Sequence, residues 1–458
     1  MSLLPSLMAV TDAMFLIPES REQPMHVGSL QLFQPPAAAG PDFLTDLYNE
    51  ALATTDIAAE FRKRPTRGWS TGGQWAWEED EQIDLEHHVR HSALPRPGRI
   101  RELLALTSRL HSTPLDRQRP LWEAHLIEGL EDGRFAVYTK LHHAVMDGIS
   151  ASRLLERSLS TDPSKTDTPM PFAERPRPPR RKGGLNLPGL VGTGLHAVTD
   201  AVGLVPHLAH VAEQAVRQTG TPLPGQAPRT ILNVPITGSR RFAADAWEID
   251  RMRAVAKAAD ATLNDVVLAM SASALRDYLL ALDALPGSPL IAMTPVSLRS
   301  DDVKDEGGNA VGAILADLAT HLDDPEQRML TVRDSMRQGK ADLAKLSALQ
   351  VTALSGVTMS PLLLNGLFGV PPFLPPPFNL VISNVPGPRE PLYWNGARLE
   401  GSYPLSIPTA GQALNITCMS YDGRMAFGLV GCRRSLPHLQ QLLVGLEDGL
   451  AHLEKAFT

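Results

Sequence analysis

Apolar positions follow two different spacings along this chain. In LNDVVLAMSASALRDYLLAL (263–282) and PEQRMLTVRDSMRQGKADLAKL (325–346) they return every three or four residues, which predicts two long helices. Shorter runs have the β character of half-buried strands. HLIEGL (125–130) and RFAVYTKLHH (134–143) flank Asp132-Gly133, and ALNITCMSY (413–421) and RMAFGLVG (424–431) flank Asp422-Gly423. Both dipeptides suit a hairpin turn with positive φ. Further strands are predicted at PLIAMTPVSL (289–298) and FNLVISNV (378–385), and a helix at GISASRLLERSL (148–159). Between these halves, DPSKTDTPMPFAERPRPPRRKGG reads as an extended proline-rich linker. Residues 187–217 then carry apolar side chains at mostly helical spacing, interrupted by Gly203 and Pro206, and read as a helical crossover. The pattern divides the chain into 1–160, the linker and crossover at 161–228, and 229–458. Its class is α/β (α+β) in two domains with mixed sheets.

Composition alters this picture little. With 43% hydrophobic and 20% charged residues the chain is globular rather than disordered. A net charge of -7 argues against a nucleic-acid partner. Cys418 and Cys432 have neither a disulfide-framework nor a CxxC spacing and read as buried thiols of a reducing compartment. The first fifteen residues lack a basic n-region and include Asp12, so a signal peptide is not expected and the protein is read as cytoplasmic.

The chemistry concentrates where RFAVYTKLHH runs into HHAVMDG (142–148). An imidazole at a strand end, with a pKa near neutrality, takes a proton from a hydroxyl or thiol and returns it later. An imidazole of the His142-His143 pair is then a general base, Asp147 an orienting or turn-pinning carboxylate, and Gly148 a source of backbone freedom where the strand gives way to a helix. The alternative is a buried structural histidine pair, and no GxSxG nucleophile accompanies the motif. A second cluster, EHHVRH with His87, His88 and His91, would need two histidines three apart on a helix to hold a metal; a polar surface segment is the simpler reading, and no metal site is expected. P-loop and Rossmann fingerprints are absent, which removes nucleotide hydrolysis and hydride transfer.

HHAVMDG resembles the HHxxxDG signature of the CoA-dependent acyltransferase superfamily. PMHVGSLQLF (24–33), LPRPGRIRELL (94–104), DRQRPLWEAHLIEGL (116–130), LNDVVLA (263–269) and SNVPGPREPLY (383–393) resemble, in order, segments of the bacterial wax ester synthase/diacylglycerol acyltransferase family. The resemblance implies two chloramphenicol-acetyltransferase-like domains with an active-site tunnel between them, and direct transfer from acyl-CoA to an alcohol. Acyl-CoA is a co-substrate, and no cofactor is implied. It further implies His143 as base, His142 supporting the site, Asp147 holding its loop through an arginine, and Asn264, Asp265, Ser383 and Asn384 as polar groups near substrate or oxyanion. On the residues alone, Asn264 caps a helix and Asn384 forms a turn equally well. Pro120, Leu121 and Trp122 match the family's PLW motif and read as core packing beside the site. The acceptor is a fatty alcohol or diacylglycerol, with another acceptor or a non-catalytic lipid-binding protein as alternatives.

Such acceptors reside in a membrane or lipid body. Residues 346–388 contain no charge, and their prolines preclude a simple transmembrane helix. Phe368, Val370, Phe373 and Leu374 would suit a shallow apolar contact. Arg175, Arg177, Arg180, Arg181 and Lys182 would meet anionic headgroups at about 1 kcal/mol each.

Overall fold

The structure is a computed structural model that describes residues 5–175, 226–297, 311–346, 350 and 376–458. The chain begins with β1 (Ser6–Leu7), α1 (Val10–Leu16), β2 (His26–Gln34), α2 (Phe43–Leu52), β3 (Lys63–Thr66), β4 (Ala76–Glu79), α3 (Leu85–His88) and β5 (Val89–Ala93). It continues with α4 (Ile100–Ser112), β6 (Trp122–Glu128), β7 (Phe135–His142) and α5 (Gly148–Arg157). The later residues form β8 (Arg240–Glu248), α6 (Ile249–Ala258), α7 (Leu263–Ala281), β9 (Ile291–Ser297), β10 (Val311–Asp317) and α8 (Pro325–Leu343). They end with β11 (Leu380–Val385), β12 (Tyr393–Trp394), β13 (Ala397–Leu405), β14 (Leu414–Tyr421), β15 (Arg424–Cys432) and α9 (Gln441–Phe457).

Two six-stranded mixed sheets carry the architecture, ordered β12-β13-β2-β7-β6-β5 and β10-β9-β11-β14-β15-β8, with a small sheet β1-β4-β3 beside them. The predicted long helices and strands form within a few residues of their expected ends. The two hairpins differ in their turns. Asp422 (φ 42) and Gly423 (φ 77) both take positive φ and join β14 to β15 in two residues. Asp132-Gly133 lies in a longer loop where only the glycines at 129 and 133 have positive φ.

Sheet membership does not divide at residue 229. β12 and β13 follow β11 in the chain yet join the first sheet, where β13 pairs antiparallel with β2 from Leu405↔Gly28 to Arg398↔Gln34. The chain thus leaves the second sheet after β11, adds β12 and β13 to the first, and returns as β14. At this crossing Gly428 of β15 lies so close to β13 that an added Cβ would fall 1.8 Å from the Pro404 carbonyl, and only glycine permits the approach. A second tie comes from α4. Ser112 Oγ accepts from Arg240 N–H (2.8 Å) and Ser108 Oγ from Phe242 N–H (2.9 Å), satisfying donors of β8 at the sheet's edge.

The strand period sorts the first sheet's faces. Phe135, Val137 and Leu141 pack with Trp122, Leu126 and Phe172, whereas Ala136 and Tyr138 pack with Leu103, Phe242 and Val430. α7, α8 and α9 cover the second sheet in the largest core, which also buries Cys418 and Cys432. EHHVRH is not a helix face. α3 is one turn, Val89–Ala93 is a strand parallel to β6, and His88 is buried with its ring stacked 4.5 Å from that of Trp122. Among the described residues no His, Cys, Asp and Glu group has metal-site geometry. No helix among them is long and apolar enough to cross a membrane. The linker and crossover at 176–225 and the apolar positions 368–374 lie outside the described residues.

Candidate active site

The turn after β7 opens into a cavity of about 360 Å³ between the two sheets. Thr139, Leu141 and His143 line it from one face of β7 and its continuation, beside Val27, Gly28 and Ser29 of β2. Pro295, Val381, Ser383, Val385 and Thr417 line it from the second sheet, and Pro404, Leu405 and Ser406 from the end of β13.

Backbone pairing sets His143 in place. Its N–H donates to the Met25 carbonyl at 2.9 Å, while His142 N–H donates to the Leu121 carbonyl at 3.0 Å. The PLW residues thus anchor the strand end. Trp122 Nε1 donates to the Phe61 carbonyl at 2.9 Å within the core. The His143 ring stacks on Phe15, centroids 3.9 Å apart. Burial holds its pKa down to about 4, against the opposing pull of the Asp147 charge and of its own backbone carbonyl. The imidazole is consequently neutral at physiological pH, the form in which it accepts a proton.

His142 points the other way and is fully buried. Ala144 N–H donates to its Nδ1 at 3.0 Å, which leaves the proton on Nε2. That nitrogen lies 3.2 Å from Glu19 Oε1, at an angle too poor for a full hydrogen bond. Glu19 also accepts from Met25 N–H (3.1 Å) and from Arg117 Nε (2.8 Å). Burial raises the Glu19 pKa, but His142, Met25 and Arg117 outweigh it and keep the carboxylate charged. A Glu19–Arg117 ion pair therefore braces the histidine pair from behind, an arrangement no local motif announced.

Asp147 is the N-cap of α5, accepting from Ser150 N–H at 2.8 Å and from Ser150 Oγ at 3.0 Å. The cap ties the turn to the helix independently of any arginine partner. Gly148 serves differently than expected. Its φ is not positive and an added Cβ would meet nothing within 4 Å, so the missing side chain leaves room in the cavity it lines rather than relieving the backbone.

The fold thus gathers His143, Asp147, Gly148 and Ser383 around one space. Ser383 pairs in register with Thr417, which puts two hydroxyls on the wall contributed by the second sheet. Asn384, on the other face by strand alternation, does not line the cavity. Neither do Asn264 and Asp265. Thr262 rather than Asn264 caps α7, and buried Asp265 closes a capping box by accepting from Thr262 N–H at 2.8 Å. Phe15, Glu19, Ser406 and Thr417 were not singled out from sequence.

Comparison with known proteins agrees with this geometry. A family model described as the wax ester synthase/diacylglycerol acyltransferase catalytic domain matches residues 8–267, and the WS/DGAT C-terminal domain matches residues 307–454. A Mycobacterium tuberculosis (H37Rv) protein named "Probable diacyglycerol O-acyltransferase tgs2" is 51% identical over 450 residues, covering 98% of this chain and 99% of that protein. The structure of a wax ester synthase/diacylglycerol acyltransferase from Marinobacter aquaeolei VT8 superposes with a TM-score of 0.79 at 42% identity, covering 98% of this chain and 99% of that one. The first condensation domain of the CDA synthetase shares the fold, with a TM-score of 0.56 at 16% identity over 99% of this chain and 96% of that one.

Proposed function

The chain belongs to the wax ester synthase/diacylglycerol acyltransferase family, and on that premise we propose that it transfers a long-chain acyl group from acyl-CoA to the hydroxyl of a fatty alcohol or diacylglycerol. The observation that carries the reading is neutral His143 facing a cavity walled by both sheets. His143 Nε2 removes the acceptor hydroxyl proton as the oxygen attacks the thioester carbonyl carbon. The tetrahedral oxyanion collapses, the C–S bond breaks, and the imidazolium returns its proton to the leaving thiolate, giving ester and free CoA. The negative oxyanion and the Asp147 charge favour the imidazolium while it exists, offsetting the burial that disfavours it at rest. Ser383 supplies a hydroxyl donor for the oxyanion from the opposite cavity wall, whereas the Thr417 hydroxyl beside it already donates to Asn415 Oδ1 at 2.9 Å. A single cavity for acceptor and thioester supports direct transfer without an acyl-enzyme.

A thiol-release assay with palmitoyl-CoA against long-chain alcohols and diacylglycerol, with the ester product identified, tests the reading. No CoA release with any acceptor, alongside binding to lipid vesicles, would make this a lipid-binding member of the family instead.

Asp147 has two separable duties. Asn caps a helix as well as Asp, so Asp147→Asn is expected to keep the cap of α5 while lowering transfer, because it removes a charge that raises His143 basicity. Asp147→Ala is expected to lose about 1 kcal/mol of stability as well. Full activity in folded Asp147→Asn would remove the charge from the mechanism.

The acceptors' insolubility supports peripheral contact with a membrane or lipid body. Of the basic residues invoked for it, Arg175 is described, with Nη2 donating to the carbonyls of Pro169 (2.9 Å) and Met170 (3.1 Å). Arg177, Arg180, Arg181 and Lys182 lie outside the described residues. Wild type is expected to float with anionic liposomes at low salt and to be released at high salt or by Ser at all five positions. Equal flotation throughout would exclude the basic segment.

A further inference from the structure

A second internal space adjoins the catalytic cavity. It is a small, largely apolar chamber between the first sheet and α5, walled by Phe33, Trp122, Leu126, Val137, Leu154 and Phe172. Thr139, Leu141 and Leu155 line both spaces, so the two meet at these three side chains. His143, Leu141, Thr139 and Val137 follow one another on a single face of the strand. At about 3.3 Å per residue, the path from the catalytic imidazole to Val137 is roughly 20 Å, the scale of a long acyl chain.

Two features distinguish this space from ordinary core. The Thr139 hydroxyl is buried at the junction with no hydrogen-bond partner among the described residues. Leaving such a group unpaired costs about 1–3 kcal/mol, a cost that valine of the same shape would avoid. The chamber also retains about 40 Å³ of free volume, enough for several water-sized probes but lined mainly by apolar groups that hold water poorly.

We propose that this chamber receives the distal end of the acyl chain, so that Val137, Leu126 and Phe33 set the acyl length the protein accepts. The proposal rests on the acyltransferase reading above. The occupant follows from continuity with the site. The apolar space is reached from the catalytic cavity past Thr139, Leu141 and Leu155, and acyl-CoA delivers one unbranched chain there in every turnover whatever the acceptor; the chain of a fatty alcohol is the rival occupant that the alcohol series separates. The thioester then lies at His143, and the CoA moiety stays on the open side of the larger cavity.

Val137→Phe fills the chamber and Leu126→Ala enlarges it. kcat/KM for CoA release is measured with octanoyl-, lauroyl- and palmitoyl-CoA at one fixed acceptor, then with alcohols of increasing length at one fixed acyl-CoA. Val137→Phe is expected to lower the palmitoyl-to-octanoyl ratio by about tenfold or more, since a hydrophobic pocket discriminates a few methylenes by that much. Leu126→Ala is expected to move the ratio in the opposite direction, and its profile decides the matter should the phenylalanine variant not fold. Unchanged acyl ratios in the folded variants, or a change confined to the alcohol series, would overturn the chamber's assignment while leaving acyl transfer intact. Absence of CoA release by wild type with every pair would instead overturn the acyltransferase reading and this inference with it.

Discussion

His143→Ala is expected to leave a folded protein whose CoA release is slower by about a hundred- to ten-thousandfold, the usual worth of a positioned acid–base group. The turn survives because its anchors are main-chain bonds, from His143 N–H to Met25 and from His142 N–H to Leu121, and because Asp147 still caps α5. The lost side chain bounds a cavity and, among the described residues, stacks on Phe15. Near-normal release by the folded variant would overturn the mechanism. The wild-type pH profile supplies a second reading. With its pKa near 4, His143 remains a free base through neutrality, so activity is expected to hold to about pH 5 and decline as pH falls toward 4. Stability follows the same sign. An unfolded histidine titrates near 6.5, so between 6.5 and 4 the unfolded chain binds the proton that native His143 refuses. The stability gained from a neutral His143 is full above pH 6.5 and is lost as pH falls through 4. Burial lowers His26, His88 and His125 likewise, and His111 to about 3, so the melting temperature should drop between pH 7 and pH 5. A flat profile there would contradict neutral burial.

Lys140→Met is expected to cost about 3–5 kcal/mol, the largest stability loss anticipated from a single polar substitution in this chain. Lys140 is wholly buried on β7, with Nζ 3.0 Å from Glu123 Oε2 and donating to the carbonyls of Leu110 (3.3 Å) and Thr113 (3.0 Å) at the end of α4. Burial lowers its pKa against the pull of Glu123. Burial raises Glu123 in turn, yet His125, Lys140 and Arg90 together hold it at about 2. Each charge is tolerable through its partner. Removing the ammonium takes the closest cation from a buried carboxylate, which keeps only His125 and the more distant Arg90, and frees two helix-end carbonyls, and that penalty exceeds anything the pair itself contributes. Lys140→Met/Glu123→Leu should therefore be more stable than Lys140→Met alone, a coupling visible in urea unfolding followed by tryptophan fluorescence. A loss below about 1 kcal/mol for Lys140→Met, or strict additivity in the double variant, would show that the pair is not coupled as described.

Local sequence carried most of the elements and the centre of the chemistry. The helices at Leu263–Ala281 and Pro325–Leu343, the tight turn at Asp422-Gly423 and the strand that delivers His143 all arise from interactions a few residues apart, which periodicity and turn residues record. HHAVMDG was legible for the same reason, since cap, turn and base lie within seven positions. The tertiary structure decided whatever depends on partners far apart in the chain. Glu19 and Arg117 reach His142 from remote segments, and Ser383 faces His143 only because β11 lies in the opposing sheet. β13 crosses to pair with β2 more than 360 positions earlier, a sheet membership that no spacing near the linker signals. His88 became core rather than surface because Trp122 stacks on it, and Gly148 lines the cavity without the positive φ its type suggested. No pattern of neighbours encodes such contacts. They are set by the three-dimensional packing of sheets, where burial and close approach choose among side chains that local spacing treats alike.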